Sequence, residues 1–144
     1  GLMAKDKWRI KEAVKIAEEA GLKALRTGAE AILTEAIDEA PVDTGTLRRS
    51  GTVTVGKLPD GESVFEAAEA GNEMKDAFPG KIGKEKAVYI SFNTPYARRM
   101  HEDLGYTPKR GGGPKYLETP FNRNKQKVLK YADKQIKKAL KKAK

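Results

Sequence analysis

The sequence predicts an α+β fold, with a long N-terminal helix and a C-terminal helix packed on one face of a small antiparallel sheet. Three observations carry this. Residues 6–40 keep a helical apolar period. The middle of the chain holds short alternating segments bounded by turn residues. The segment after Pro120 returns to a helical period, with lysines on its remaining faces.

Within residues 6–40, Ile10, Val14, Ala17, Gly21, Leu25, Gly28, Ile32 and Ala36 fall on one stripe. Asp6 is the expected N-cap, and Pro41 ends the helix by disfavouring helical geometry at Ala40. Gly21 and Gly28 on that stripe imply either loose packing or close approach of another backbone, since each costs about 1 kcal/mol relative to Ala. Leu22, Ala29, Leu33 and Ile37 form a second apolar face. A helix apolar on two sides needs two neighbours. The protein's own sheet is one, and Leu22, Leu33 and Ile37 are candidates for contact with another subunit.

Thr52-Val53-Thr54-Val55 reads as a strand with its valines facing in, and Leu58-Pro59-Asp60-Gly61 as the turn to a weaker strand at 63–67. Residues 87–92 are the clearest strand, with Val88, Ile90 and Phe92 on one face. Residues 70–86 and 105–115 read as loops, and such long loops are usually functional or disordered. Residues 96–103 are read as a short helix. The last helix is expected from Pro120 to about Leu140, with Phe121, Val128, Tyr131 or Ala132, Ile136, and Ala139 or Leu140 facing inward.

At 144 residues the chain is read as a single domain spanning 3–144, with Gly1 and Leu2 as an expected cloning scar. There is no cysteine, which excludes disulfides and thiolate chemistry. No signal peptide is expected, because the first 20 residues are charged throughout. No apolar run approaches the roughly 20 residues a membrane helix requires. Residues 1–120 carry 19 basic and 19 acidic residues, whereas residues 121–144 carry 10 basic residues and only Asp133 as an acid. The whole net charge of +9 therefore sits in the last helix. That asymmetry signals either contact with nucleic acid or an acidic partner, or a solvated helix face.

Candidate chemistry is sparse. Asp43-Thr44-Gly45 matches the aspartic-protease triplet, but that reaction needs two aspartates sharing a proton. Here the triplet follows a helix and Pro41, so a structural turn is favoured: Asp43 accepts backbone N–H groups and Gly45 takes the positive φ. His101-Glu102 lacks the second histidine of a metalloprotease, and His101 is the only histidine. Gly111-Gly112-Gly113 lacks the Gly-Lys-Ser/Thr ending of a phosphate loop. No catalytic, cofactor or metal residue is assigned. In the basic helix, Lys130, Lys134, Lys137, Lys138 and Lys141 are candidate DNA contacts, with Lys127 and Lys142 beside them. The lysines are read as surrounding the helix, which favours the solvated face.

Three separated segments resemble one family. Ala40-Pro41-Val42-Asp43-Thr44-Gly45-Thr46-Leu47-Arg48-Arg49-Ser50, after a long amphipathic helix, is similar to the Pro-x-Asp-Thr-Gly-x-Leu-Arg-x-Ser signature of small phage neck and tail-component proteins. Pro95-Tyr96-Ala97-Arg98-Arg99-Met100-His101-Glu102 resembles the Tyr-Ala-x-x-x-His-Glu element of that group. Lys115-Tyr116-Leu117-Glu118-Thr119-Pro120-Phe121 resembles the segment leading into its last helix. Residues 57–86 match none of its segments. The resemblance implies a virion structural protein of phages and prophages that acts in head–tail joining or tail completion and is not an enzyme. The pairing of His-Glu with Lys-Tyr-Leu-Glu points to the minor capsid variant. It implies assembly in the host cytoplasm, self-association in a ring, contact with adjoining head–tail proteins and no cofactor. A lysine-lined ring would tolerate packaged DNA in its channel.

Overall fold

The computed structural model describes residues 4–42, 45–95, 97–104 and 114–143; for residues 4–8 and 97–100 it describes only the backbone. The fold is α+β, as expected. Helix α1 spans Ala4–Glu39, a single turn α2 Thr46–Arg49, strand β1 Thr52–Val55 and helix α3 Gly61–Glu69. Strands β2, Val88–Thr94, and β3, Ala97–Leu104, follow, and helix α4, Lys115–Lys142, closes the chain.

The sheet is antiparallel in the order β1-β2-β3. Its pairing puts Val53, Val55, Val88, Ile90 and Leu104 on one face, where they join Leu25, Ile32, Leu33, Ala36, Leu117 and Phe121 in the main core. Burying one such aliphatic side chain contributes roughly 1.5–3 kcal/mol. The other face is polar yet also buried. Thr52 Oγ1 and Ser91 Oγ are 2.7 Å apart, and Asn93 Nδ2 donates to Ser91 Oγ at 3.2 Å and to the Ser50 carbonyl at 2.9 Å. Ser50 Oγ accepts from Asn93 N at 3.0 Å and donates to the Leu47 carbonyl at 2.8 Å. Hydrogen bonding of this kind keeps buried hydroxyls and amides from carrying a desolvation penalty. Helix α3 packs on β2, and its buried Val64 and Ala68 stand apart from the main core. Helices α1 and α4 thus share the core face of the sheet, as expected, and α3 is a third helix that the sequence reading did not include.

Two elements differ from the sequence reading. Residues 63–67 are helical, because Asp60 caps the helix. Its carboxylate accepts from Glu62 N at 3.1 Å and from Ser63 Oγ at 3.1 Å. Residues 97–104 form a strand, because β2 offers an edge that only an extended segment can satisfy. The Ile90–Glu102 and Ser91–His101 pairs put alternate residues on opposite faces.

Helix α4 begins five residues before Pro120, with Pro114 at its N-cap. Leu117 and Phe121 are both fully buried, and the i, i+4 spacing that aligns them requires the intervening turn to be helical. Pro120 has no N–H to give the Tyr116 carbonyl, so one helical hydrogen bond is missing there, while its own carbonyl accepts from Asn124 Nδ2 at 2.8 Å.

Helices α1 and α4 pack antiparallel. Glu35 meets Arg123 and Asn124 at one end, Gly28 meets Val128 in the middle, and Ala20 lies beside Ala139 and Lys142 at the other. A Cβ at Gly28 would overlap both Val128 methyls, so this glycine is needed for close packing of the two helices. Helix α4 therefore ends opposite Ala20. About 24 Å of α1, from Ala20 back to Ala4 at 1.5 Å per residue, runs on past it. Ile10 and Val14, expected to face inward, are accordingly 49% and 51% exposed.

The 70–86 segment is tied down within the chain. Arg26 Nη2 donates to the Phe78 carbonyl at 2.7 Å, and the same guanidinium also donates to the Pro79 carbonyl. Met74 N donates to the Arg49 carbonyl at 2.9 Å, Ile82 N to Val55 at 2.8 Å and Glu85 N to Gly56 at 3.0 Å. Lys86 pairs with Glu18 at 2.6 Å. Gly56, at φ 95°, packs back to back with Gly83, leaving no room for a Cβ on either. Of the 105–115 loop, residues 105–113 lie outside the described residues.

Candidate functional site

The resemblance segments meet on β2. In the first, Leu47 enters the core while the two arginines turn outward to helix ends. Arg48 Nε donates to the Ala40 carbonyl at 2.9 Å and its Nη2 to the Asp38 carbonyl at 2.9 Å. Asp38 lies in the last turn of α1 and Ala40 directly after it, where carbonyls have no partner within the helix. Arg49 Nε donates to the Ala68 carbonyl at 2.8 Å, near the end of α3. One short turn thus closes two helices, and its charges favour both C-terminal dipoles. Gly45 precedes it at φ 76°. Asp43 and Thr44, the rest of the structural turn, lie outside the described residues.

In the second segment, Tyr96 lies outside the described residues, and Ala97 is described only by its backbone, paired with Thr94. His101 and Glu102 project to opposite faces of β3. His101 is exposed and meets the Tyr89 ring edge-on at 6.0 Å between centroids, whereas Glu102 is 1% exposed on the core face. Adjacent strand residues cannot share one ligand, which separates this pair from metal chemistry. Among the described residues no group of three His, Asp or Glu side chains is placed to hold a metal. The Tyr89 hydroxyl bonds to the Glu85 carboxylate, which pushes its pKa up to about 12.

In the third segment, Tyr116 packs edge-on against Phe92 at 5.2 Å between centroids, Leu117 is fully buried, and Pro120 is buried inside α4. Burial pushes the Tyr116 phenol up. These residues fix α4 to the sheet.

The candidate subunit face is largely internal. Leu33 is 2% exposed within the core, and Leu22 and Ile37 pack against that core from its margin. Leu33 is therefore occupied by the protein's own sheet. The apolar surface left uncovered on α1 is the protruding stretch with Ile10 and Val14.

The candidate DNA residues form a stripe and do not surround the helix. At 100° per residue, Arg123, Lys127, Lys130, Lys134, Lys137, Lys138 and Lys141 fall within an arc of roughly 100°. All seven are exposed, and the helix's two acids, Glu118 and Asp133, lie outside the arc. Between α1 and α4 a groove of about 760 Å³ adjoins the arc, lined by Lys23, Tyr131, Gln135, Lys138, Lys141 and Lys142 among others. Among the described residues no helix is long and apolar enough to cross a membrane.

The α+β scaffold, held by helix caps and a buried polar network, presents exposed apolar side chains on α1 and an exposed basic face on α4. The family follows from comparison: residues 7–98 match the family described as "Bacteriophage HK97-gp10, putative tail-component". The match covers more than half of the chain, and the chain belongs to this family of phage tail components. No curated protein and no solved structure matches it.

Proposed function

We propose that this protein is a head–tail joining or tail-completion component of the minor capsid type. In this reading it is carried in the virion after assembly in the host cytoplasm. It acts through contacts with copies of itself and with adjoining head–tail proteins, and not through catalysis. Membership of the tail-component family supports the broad reading. The observation that supports the finer one is the protruding α1, whose Ile10 and Val14 are half-exposed. Exposed apolar helix surface can serve association when a partner covers it. An arm leaving one side of a domain makes a heterologous contact, which gives a ring when the rotation closes.

Electron microscopy of particles from the parent phage with this gene deleted tests the role. Filled heads beside unattached tails are expected. Normal infectious particles would refute a joining function.

A further inference from the structure

We propose that the outer face of α4 binds the phosphate backbone of double-stranded DNA without reading its sequence. This surface lies beyond the matched residues 7–98. Seven cations share the arc and span roughly 27 Å at 1.5 Å per residue, the length of about eight base steps at 3.4 Å. Arg123 is partly neutralised, at 3.3 Å from Glu35 and 3.6 Å from Glu39. Among the described residues, none of the six lysines has an acidic partner within 4.0 Å. A row of unpaired like charges along one helix face is self-repelling and gains most from a partner that is itself a row of negative charges.

The chemistry of the face selects that partner. Lysine is depleted at protein–protein interfaces, so a face made almost wholly of lysine fits a protein poorly. Membrane binding by an amphipathic helix needs a free apolar side, but here Leu117, Phe121, Val128 and Ala132 are buried against the fold. Lysine also presents a point charge and lacks arginine's paired donors for guanine, which suits contact with phosphate over contact with bases. The groove beside the arc widens the basic surface through Lys23 and Lys142.

The test is fluorescence anisotropy of the full chain with two labelled duplexes of unrelated sequence, across a salt series. Both duplexes are expected to bind alike, with affinity falling steeply as salt rises. The Lys130→Glu/Lys134→Glu/Lys137→Glu variant should bind at least about tenfold more weakly and lower the salt slope by roughly three. A control of equal charge change on exposed loop lysines, Lys57→Glu/Lys75→Glu/Lys84→Glu, should bind within about threefold of the parent at the same salt. Circular dichroism checks that each variant is folded. If the first variant unfolds, the triple Gln variant at the same positions replaces it. Three results would overturn the proposal: no duplex binding at low salt, equal loss in the control, or binding to phosphatidylserine vesicles with none to duplex.

Discussion

Arg48 Nε lies 2.9 Å from the carbonyl oxygen of Ala40, eight residues back along the chain. The bond ties the first turn of the family signature to the end of α1, while a second from the same side chain reaches Asp38. The guanidinium fork satisfies two orphan carbonyls at once, and a lysine ammonium is too compact to span them both. Arg48→Ala should lower unfolding stability by on the order of 1–2 kcal/mol, and Arg48→Lys should recover only part of that. Denaturant midpoints of the three proteins check it; equal midpoints would remove the capping role.

Gly28 against Val128 sets the spacing of α1 and α4. Two effects oppose each other in Gly28→Ala. Helix propensity gains about 1 kcal/mol, and overpacking against Val128 costs about 1–3 kcal/mol. Because the overlap is with a β-branched side chain that has little rotamer freedom, overpacking should win and the variant should be less stable. Adding Val128→Ala should relieve the clash, so the double variant should be more stable than the two single changes predict. A double-mutant cycle from thermal or denaturant unfolding measures this coupling.

The sequence is informative where period and burial agree. Helix α1, β1 and the β2 face of Val88, Ile90 and Phe92 follow directly from their spacing. The failures have physical causes. Residues 63–67 look extended by composition, but the Asp60 carboxylate and Ser63 hydroxyl make a helix start of the type the Asp-Gly-Glu-Ser order encodes. Residues 97–104 are polar and hide their alternation, and their strand is imposed by pairing with β2. The basic arc was within reach of the sequence, because it emerges when the lysines are placed by angle instead of counted. The roles of Arg48 and Arg49 were not, since they depend on where two other helices end. The exposure of Ile10 and Val14 likewise depends on where α4 stops relative to α1.

Tyr89 gives the fold an alkaline limit. Its hydroxyl bonds to Glu85, and that bond, with partial burial, raises its pKa from 10.0 to about 12. The neutral phenol is thus favoured in the folded state. The stabilisation is fully present below pH 10, the unfolded value, and is lost as pH rises through 10 towards 12. Absorbance titration of the phenolates should show Tyr89 and Tyr116 ionising late, and Tyr89→Phe should remove one of the two late steps. The variant should also lose less stability between pH 9 and 11 than the parent protein, measured by denaturant unfolding over that range. An unchanged profile would show that the Tyr89–Glu85 bond does not form in solution.

Leu33 and Ile10 lie on the same helix and should fail in different ways. Leu33 is 2% exposed and Ile10 49%. Leu33→Asp places an unpaired carboxylate in the core, which should cost several kcal/mol and leave little folded protein. Ile10→Asp/Val14→Asp changes only solvent-facing positions, so its melting temperature should match the parent's within a degree or two, in keeping with surface changes of at most about 0.5 kcal/mol. If α1 is the arm that joins copies or neighbours, the second variant should fold and still fail to complement a deletion phage. Thermal melts beside plaque counts separate the two effects. Full complementation by the folded Ile10→Asp/Val14→Asp protein would move the assembly contact elsewhere. A stable, folded Leu33→Asp would instead contradict the packing of α1 on the sheet.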